Sequence, residues 1–302
     1  MDFINALAVF DTLVPAGAAD SVQVRAMDVG GIALTVYVPA AIAAATAPVP
    51  TRVVFCLHGR QGSQRDMAPV ARALATLASA TLPIVAVTFD QRNHGGRMVR
   101  EDANNGWPTD PARDDGNQMF AFDMYSIQQG TATDVSFLVD HLPARLGFDT
   151  FADPTEWGVI GFSLGGHASL LAVTGDERIS AAVSIVGCGD YETLMTDRHA
   201  GVLKRYPTSK IAPLALAMPP QLLKLVRRID PVHRIPTAHR PKIRMLFGGD
   251  DTLVPASASA KFIDAVTAAY SGCPDRFRAS SFPGVGHGCS REMAEAALEW
   301  LQ

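Results

Sequence analysis

The segment of this chain best equipped for chemistry is Gly161-Phe162-Ser163-Leu164-Gly165-Gly166. It follows the apolar run Trp157-Gly158-Val159-Ile160 and precedes an Ala/Leu-rich stretch over residues 167–173. That order reads as strand, sharp turn, helix. Glycines two residues before and after the serine let neighbouring segments come close, so the turn can be tight and the hydroxyl can stand clear of the sheet edge. The helix behind it points backbone N–H groups at the same spot. A serine hydroxyl is almost wholly protonated at neutral pH, so attack on a carbonyl needs a base, and the base needs an acid to orient it. Two later segments carry such groups: Gly248-Gly249-Asp250-Asp251-Thr252-Leu253-Val254-Pro255 and Gly284-Val285-Gly286-His287-Gly288. In the first, either Asp250 or Asp251 could serve as the acid. In the second, glycines on both sides leave the His287 ring room to move. None of the other seven histidines has that post-strand Gly-x-Gly-His-Gly setting.

Each of these segments needs a strand to deliver it. Residues 52–57 and 84–89 are continuous apolar runs, as expected of strands buried on both faces. Between them, Met67, Val70, Leu74 and Leu77 recur at helical spacing, predicting a helix over residues 66–80. Strand, helix, strand with such strands implies a parallel sheet with right-handed crossovers. Upstream, residues 21–27 and 32–38 read as strands joined through Gly30-Gly31, whose freedom at positive φ suits a hairpin turn. Residues 40–51 read as a loop, and residues 3–10 as a short helix. A further helix is predicted over 128–142, strands over 156–160, 181–187, 242–247 and 277–282, and helices over 256–270 and from 290 to the end.

Two stretches break this alternation. Residues 96–126 are rich in Asp, Asn, Arg, Gly and Pro, with isolated Trp107, Met119, Phe120 and Phe122, and read as a long, packed loop facing substrate. Residues 190–230 hold Leu, Met, Pro, Arg and Lys at helical spacing and no strand. They read as a small helical cap inserted in a single domain covering 1–302. Its apolar members, Leu216, Met218 and Leu222, are expected with Trp107 to line a mostly hydrophobic pocket. Its Lys204, Arg205, Lys224, Arg227 and Arg228 suit a solvated outer face.

With 302 residues, 48% of them hydrophobic, the chain can build one large core, and its net charge of −4 offers no basic patch for nucleic acid. No apolar run approaches the roughly 20 residues needed to span a bilayer. The N-terminus is a poor signal peptide, with Asp2 and no early Lys or Arg. The cysteines at 56, 188, 273 and 289 form no Cys-x-x-Cys pair, which argues against zinc and suggests reduced thiols in a cytoplasmic protein; a Cys273–Cys289 disulfide is the other possibility. No metal, nucleotide or flavin motif is present, so no cofactor is expected, and the expected partner is a small-molecule substrate.

Taken together, the order Ser…Asp…His, each after a predicted strand, resembles the α/β-hydrolases over essentially the whole chain. Within that family the chain is similar to the compact esterases and dienelactone-hydrolase-like enzymes. The chain lacks a His-Gly-Gly-Gly stretch, and with some 20 residues before the first strand no propeller like that of prolyl oligopeptidases is expected. The resemblance implies an α/β fold with a mostly parallel central sheet flanked by helices. It implies Ser163 as nucleophile, His287 as base, and Asp251 as acid, since Gly-x-x-Asp-x-x-Val-Pro fits only in that register. It implies backbone N–H groups of Leu164 and, from His58-Gly59-Arg60, of Arg60 as the oxyanion hole; His58 and His94 fall at positions that are mostly structural. The expected activity is cleavage of an ester, thioester or lactone through an acyl-enzyme. The same residues also suit cofactor-free carbon–carbon bond hydrolysis or peroxidation, and a silent member would serve binding alone.

Overall fold

The computed structural model describes residues 6–77, 82–108, 116–150, 152–203 and 212–302. Its chain order is β1 (Val22–Val29), β2 (Ile32–Pro39), α1 (Ala40–Ala43), β3 (Val49–Leu57), α2 (Ala68–Leu77), β4 (Ile84–Phe89), α3 (Phe120–Asp149), β5 (Ala152–Phe162), α4 (Leu164–Gly175), β6 (Ile179–Ile185), α5 (Tyr191–His199), α6 (Leu214–Ala217), α7 (Pro220–Ile229), β7 (Lys242–Gly248), α8 (Ala260–Ala269), β8 (Phe277–Phe282) and α9 (Arg291–Leu301). The strands form one sheet in the order β1-β2-β4-β3-β5-β6-β7-β8. β1 and β2 form an antiparallel hairpin closed by Gly30 and Gly31, at φ 55° and 82°, and β2 is antiparallel to β4. From β4 through β8 all pairings are parallel.

Alternation along the strands sorts side chains onto two faces. On β3, Val53, Phe55 and Leu57 pack with Val135 and Leu138 of α3 and Phe262 of α8. Val54 and Cys56 pack instead with Val70 and Leu74 of α2 and Met293 and Leu298 of α9. A third apolar cluster lies around the start of α4: Trp107, Phe120, Met124, Tyr125, Leu164, Tyr191, Leu194, Met195, Met218, Leu222 and Leu253. It joins the segments that reach the carboxyl edge of the sheet.

Several boundaries differ from the sequence reading. α3 starts at Phe120, not residue 128, and runs through Pro143 to Asp149. The extra turns are helical because Phe120, Ala121, Met124, Tyr125 and Ile127 bury one stripe in the third cluster. Leu142 and Leu146, both buried, anchor the helix on either side of Pro143. β3 begins at Val49, inside the expected loop, and β5 extends over Ala152–Phe162. At the N-terminus a 3-10 turn spans Ala8–Leu13, while residues 3–5 of the expected helix lie outside the described residues. All four cysteines are free, so Cys273 and Cys289 do not pair. No helix among the described residues is long and apolar enough to cross a membrane.

Glycine is required where backbones touch. A Cβ on Gly161 would overlap the Gly165 carbonyl, and one on Gly165 would overlap the carbonyl of Leu57. Gly147, near the exposed end of α3, has nothing within 4 Å of such an atom. Gly161→Ala is therefore expected to destabilise by about 1–3 kcal/mol through overpacking. Gly147→Ala should be neutral or stabilising by up to about 1 kcal/mol through helix propensity. Urea midpoints of the two variants check the contrast; equal values would contradict it.

Candidate active site

Ser163 is the hinge between β5 and α4, at φ 53° and ψ −110°. A non-glycine residue there is strained, at a cost of about 1–3 kcal/mol that the surroundings must hold. They do so through the Ser163 N–H, which donates to Ile185 O of the adjacent β6 at 2.8 Å, and through the glycine contacts on either side. Asp251 follows β7 and His287 follows β8. The two loops are joined by backbone hydrogen bonds from Gly249 N–H to Phe282 O (2.8 Å) and from Asp250 N–H to Val285 O (2.9 Å). His287 is thereby folded back over the edge toward Ser163.

Ser163 Oγ lies 2.8 Å from His287 Nε2, and His287 Nδ1 lies 2.7 Å from Asp251 Oδ2. Asp251 Oδ1 accepts from the N–H groups of Leu253 (2.8 Å) and Val254 (2.9 Å). The Asp251 side chain is fully buried and that of His287 is 4% exposed. Burial pushes the Asp251 carboxyl up, but the His287 ring and the two amides outweigh it and hold the pKa below the usual carboxylate value. Asp250 is exposed and points its N–H into the loop junction instead.

On the other side, the loop after β3 meets the start of α4. The Gly165 position touches the carbonyls of Leu57 and His58, so Arg60 and Leu164 come to line one small cavity with Ser163. His58 fixes this loop: its Nδ1–H donates to Gly59 O at 2.8 Å, and its Nε2 accepts from Gln91 N–H at 3.0 Å. The cavity measures about 40 Å³ and is walled also by Phe120, Met124, Gln128, His167, Cys188, Leu194, Met195, Arg198, Leu253 and Val254. Burial pushes the Cys188 thiol up to about 12, so it stays protonated.

The expected pocket residues need correction. Trp107 is buried and stacks edge-on against Phe120 (5.4 Å) and His199 (5.9 Å), behind the cavity wall. Met218 and Leu222 are buried in the same cluster without lining the cavity, and Leu216 is 71% exposed. Helical spacing shows which residues share a helix face but not what that face covers. Lys224, Arg227 and Arg228 are exposed, with Arg227 paired to Glu192 of α5; Lys204 and Arg205 lie outside the described residues. Of the lining residues, the sequence reading placed Phe120 in a stretch facing substrate but did not single out Met124, Gln128, Leu194, Met195 or Arg198. Leu253 and Val254, which follow Asp251, carried a local signal.

A Ser–His–Asp array at the carboxyl edge of a mostly parallel, helix-flanked sheet defines an α/β-hydrolase. Residues 124–302 match the model of the prolyl oligopeptidase family, and the chain belongs to that family. A protein of Bacillus subtilis (strain 168) named "Putative esterase YitV" is 25% identical over 150 residues, which span 48% of this chain and 56% of that protein. Among solved structures, TT1662 from Thermus thermophilus matches with a TM-score of 0.65 and 19% identity over 93% of this chain and 96% of its own. A Mycobacterium tuberculosis puromycin-hydrolyzing peptidase matches at TM-score 0.59 and 20% identity, covering 94% of this chain but 39% of its own. An acylaminoacyl peptidase of Pyrococcus horikoshii gives 0.60 and 13%, covering 93% and 41%. These structural matches share the fold.

His58 yields a pH prediction. Burial, opposed by its bond to Gly59, pushes its pKa down to about 4 from 6.5. Between those values the unfolded chain binds a proton that the folded chain refuses, so stability is full above pH 6.5 and falls as pH drops toward 4. Urea unfolding at pH 7.5 and pH 5 should show the loss in wild type and a smaller loss in His58→Gln. An equal loss in both would remove His58 as its source.

Proposed function

We propose that the chain is a serine hydrolase of carboxylic esters, including thioesters and lactones, of small to medium organic molecules. The observation that carries this reading is the unbroken hydrogen-bonded series from Ser163 Oγ through His287 to Asp251 beside a cavity. As Ser163 Oγ attacks the substrate carbonyl, its proton passes to His287 Nε2. Asp251 keeps the proton on Nδ1 and stabilises the imidazolium. The developing oxyanion is held by the backbone N–H groups of Leu164 and Arg60, in a site where each such donor is worth about 10²–10³ in rate. His287 then protonates the leaving group, and water, activated by the same base, releases the acid from Ser163.

A second reading, cleavage of peptide bonds, draws on the family match and on the peptidases among the similar structures. p-Nitrophenyl esters and amino-acid p-nitroanilides separate the two: the ester reading expects anilide turnover no higher than that of Ser163→Ala. A fluorophosphonate probe should label wild type at Ser163 alone, and Ser163→Ala should lose both labelling and ester hydrolysis while keeping its melting temperature. Labelling at another residue would end the proposal.

The acid is tested separately. Asp251→Asn should lower kcat by about 10⁴, the loss expected when the histidine takes the wrong tautomer. Asp250→Asn, altering an exposed side chain, should stay within a few-fold of wild type. A reversal of the two would reassign the acid.

A further inference from the structure

Two buried polar side chains in the cavity wall each carry an atom with nothing to bond. His167 and Gln128 line the cavity together with Ser163 and Leu164, and they are 1% and 5% exposed. His167 Nδ1 and Gln128 Oε1 are closed off from solvent and have no hydrogen-bond partner among the described residues. Buried polar atoms in that state are rare and costly, and one explanation is a ligand that supplies the missing bond.

The chemistry of the two atoms says what the ligand must offer. His167 sits one turn into α4, four residues after Ser163. Its Nε2–H donates to Asp230 Oδ1 at 2.9 Å, and Asp230, itself fully buried, accepts the Tyr191 N–H on Oδ2 at 2.8 Å. That anchorage fixes the ring and leaves Nδ1 of the neutral imidazole as an acceptor. Gln128 comes from α3, which packs on α4, and its amide oxygen can only accept. Two acceptors thus stand in the wall of one small space beside the serine. Their neighbours Phe120, Met124, Leu194 and Met195 are apolar and have no strong donor to give.

We propose that this wall binds hydroxyl groups, so that the substrate is an ester carrying one or two alcohol groups within a few carbons of the carbonyl that Ser163 attacks. His167 Nδ1 and Gln128 Oε1 each accept from a hydroxyl. A carboxylate has no hydrogen to give them. An ammonium would be buried with no Asp or Glu of the described lining to pair with. A hydroxyl is a small neutral donor, and a cavity of about 40 Å³ admits it on a short chain. The inference rests on the serine-hydrolase reading and deepens it by naming the substrate class.

Acid release is compared for propyl butyrate against glyceryl monobutyrate, and for methyl butyrate against methyl β-hydroxybutyrate. The first pair places hydroxyls on the alcohol side and the second on the acyl side. In wild type, kcat/KM for the hydroxylated ester should exceed that of its plain counterpart by at least about fivefold in one pair or both, the scale of one neutral hydrogen bond. Converting the hydroxyls to methoxy groups keeps the electron-withdrawing oxygens and removes the donors, and should abolish the preference. Gln128→Met, which removes one acceptor at similar volume, should reduce it severalfold. Should Gln128→Met fail to fold, the methoxy esters still decide in wild type. No preference in either pair, a preference that the methoxy esters retain, or one undiminished in a folded Gln128→Met overturns the hydroxyl subsite and leaves the hydrolase reading standing. Absence of both turnover and fluorophosphonate labelling at Ser163 overturns both.

Discussion

Everything at this site depends on the close approach of three backbones around Ser163. β5 ends, α4 begins and the end of β3 passes beside them, with Gly161 and Gly165 supplying the missing side-chain atoms at the contacts. Held at φ 53°, Ser163 cannot relax into the strand or into the helix. A strained residue of this kind persists only where its neighbours over-determine it. The sheet order supplies those neighbours. β5 lies between β3 and β6, so one flank gives the loop carrying Arg60 and the other gives Ile185, whose carbonyl takes the Ser163 N–H.

Asp251 and His287 arrive from further along the same sheet, and a second close approach corrects for the distance. β8 is the edge strand, three places from β5. Left to itself, its loop would deliver His287 well away from Ser163. The loops after β7 and β8 are instead bonded together, and a Cβ on Gly248 would overlap the Gly286 carbonyl. Glycine at that position lets the His287 loop lie across the Asp251 loop. Asp251 is then enclosed by His287 and by the amides of Leu253 and Val254, whose hydrogen bonds more than offset the cost of burying its charge.

These two contacts explain how much could be read in advance. Ser163, Asp251 and His287 each sit in a short post-strand segment whose glycines are visible in one dimension, because local backbone geometry demands them. The strands were visible because a sheet covered on both faces leaves continuous apolar runs. The cavity was not visible, because its wall is a property of packing between distant helices. Phe120 and Met124 come from turns of α3 that composition alone assigned to a loop, Gln128 is the first residue of the expected helix, and Arg198 comes from a helix whose sequence shows no amphipathic stripe. Trp107, Met218 and Leu222 are buried as an apolar residue should be, but behind the wall rather than in it.

That division assigns different work to the helices between β6 and β7. α5 supplies Leu194, Met195 and Arg198 to the cavity, whereas the described parts of α6 and α7 supply nothing to it. α7 acts from behind: Leu222 and Val226 belong to the same buried cluster as Leu194 and Met195, and Arg227 pairs with Glu192 on α5. An ion pair this exposed contributes little by itself, so the packing is what holds α5 in place. Loss of volume at Leu222 or Val226 would be felt at the serine only as a shift of α5. Loss of Arg198 would change the charge of the cavity directly. The volume of the cavity and the charge of its lining therefore depend on separable elements, the first on how α7 backs α5 and the second on the residues that α5 and the β3 loop present.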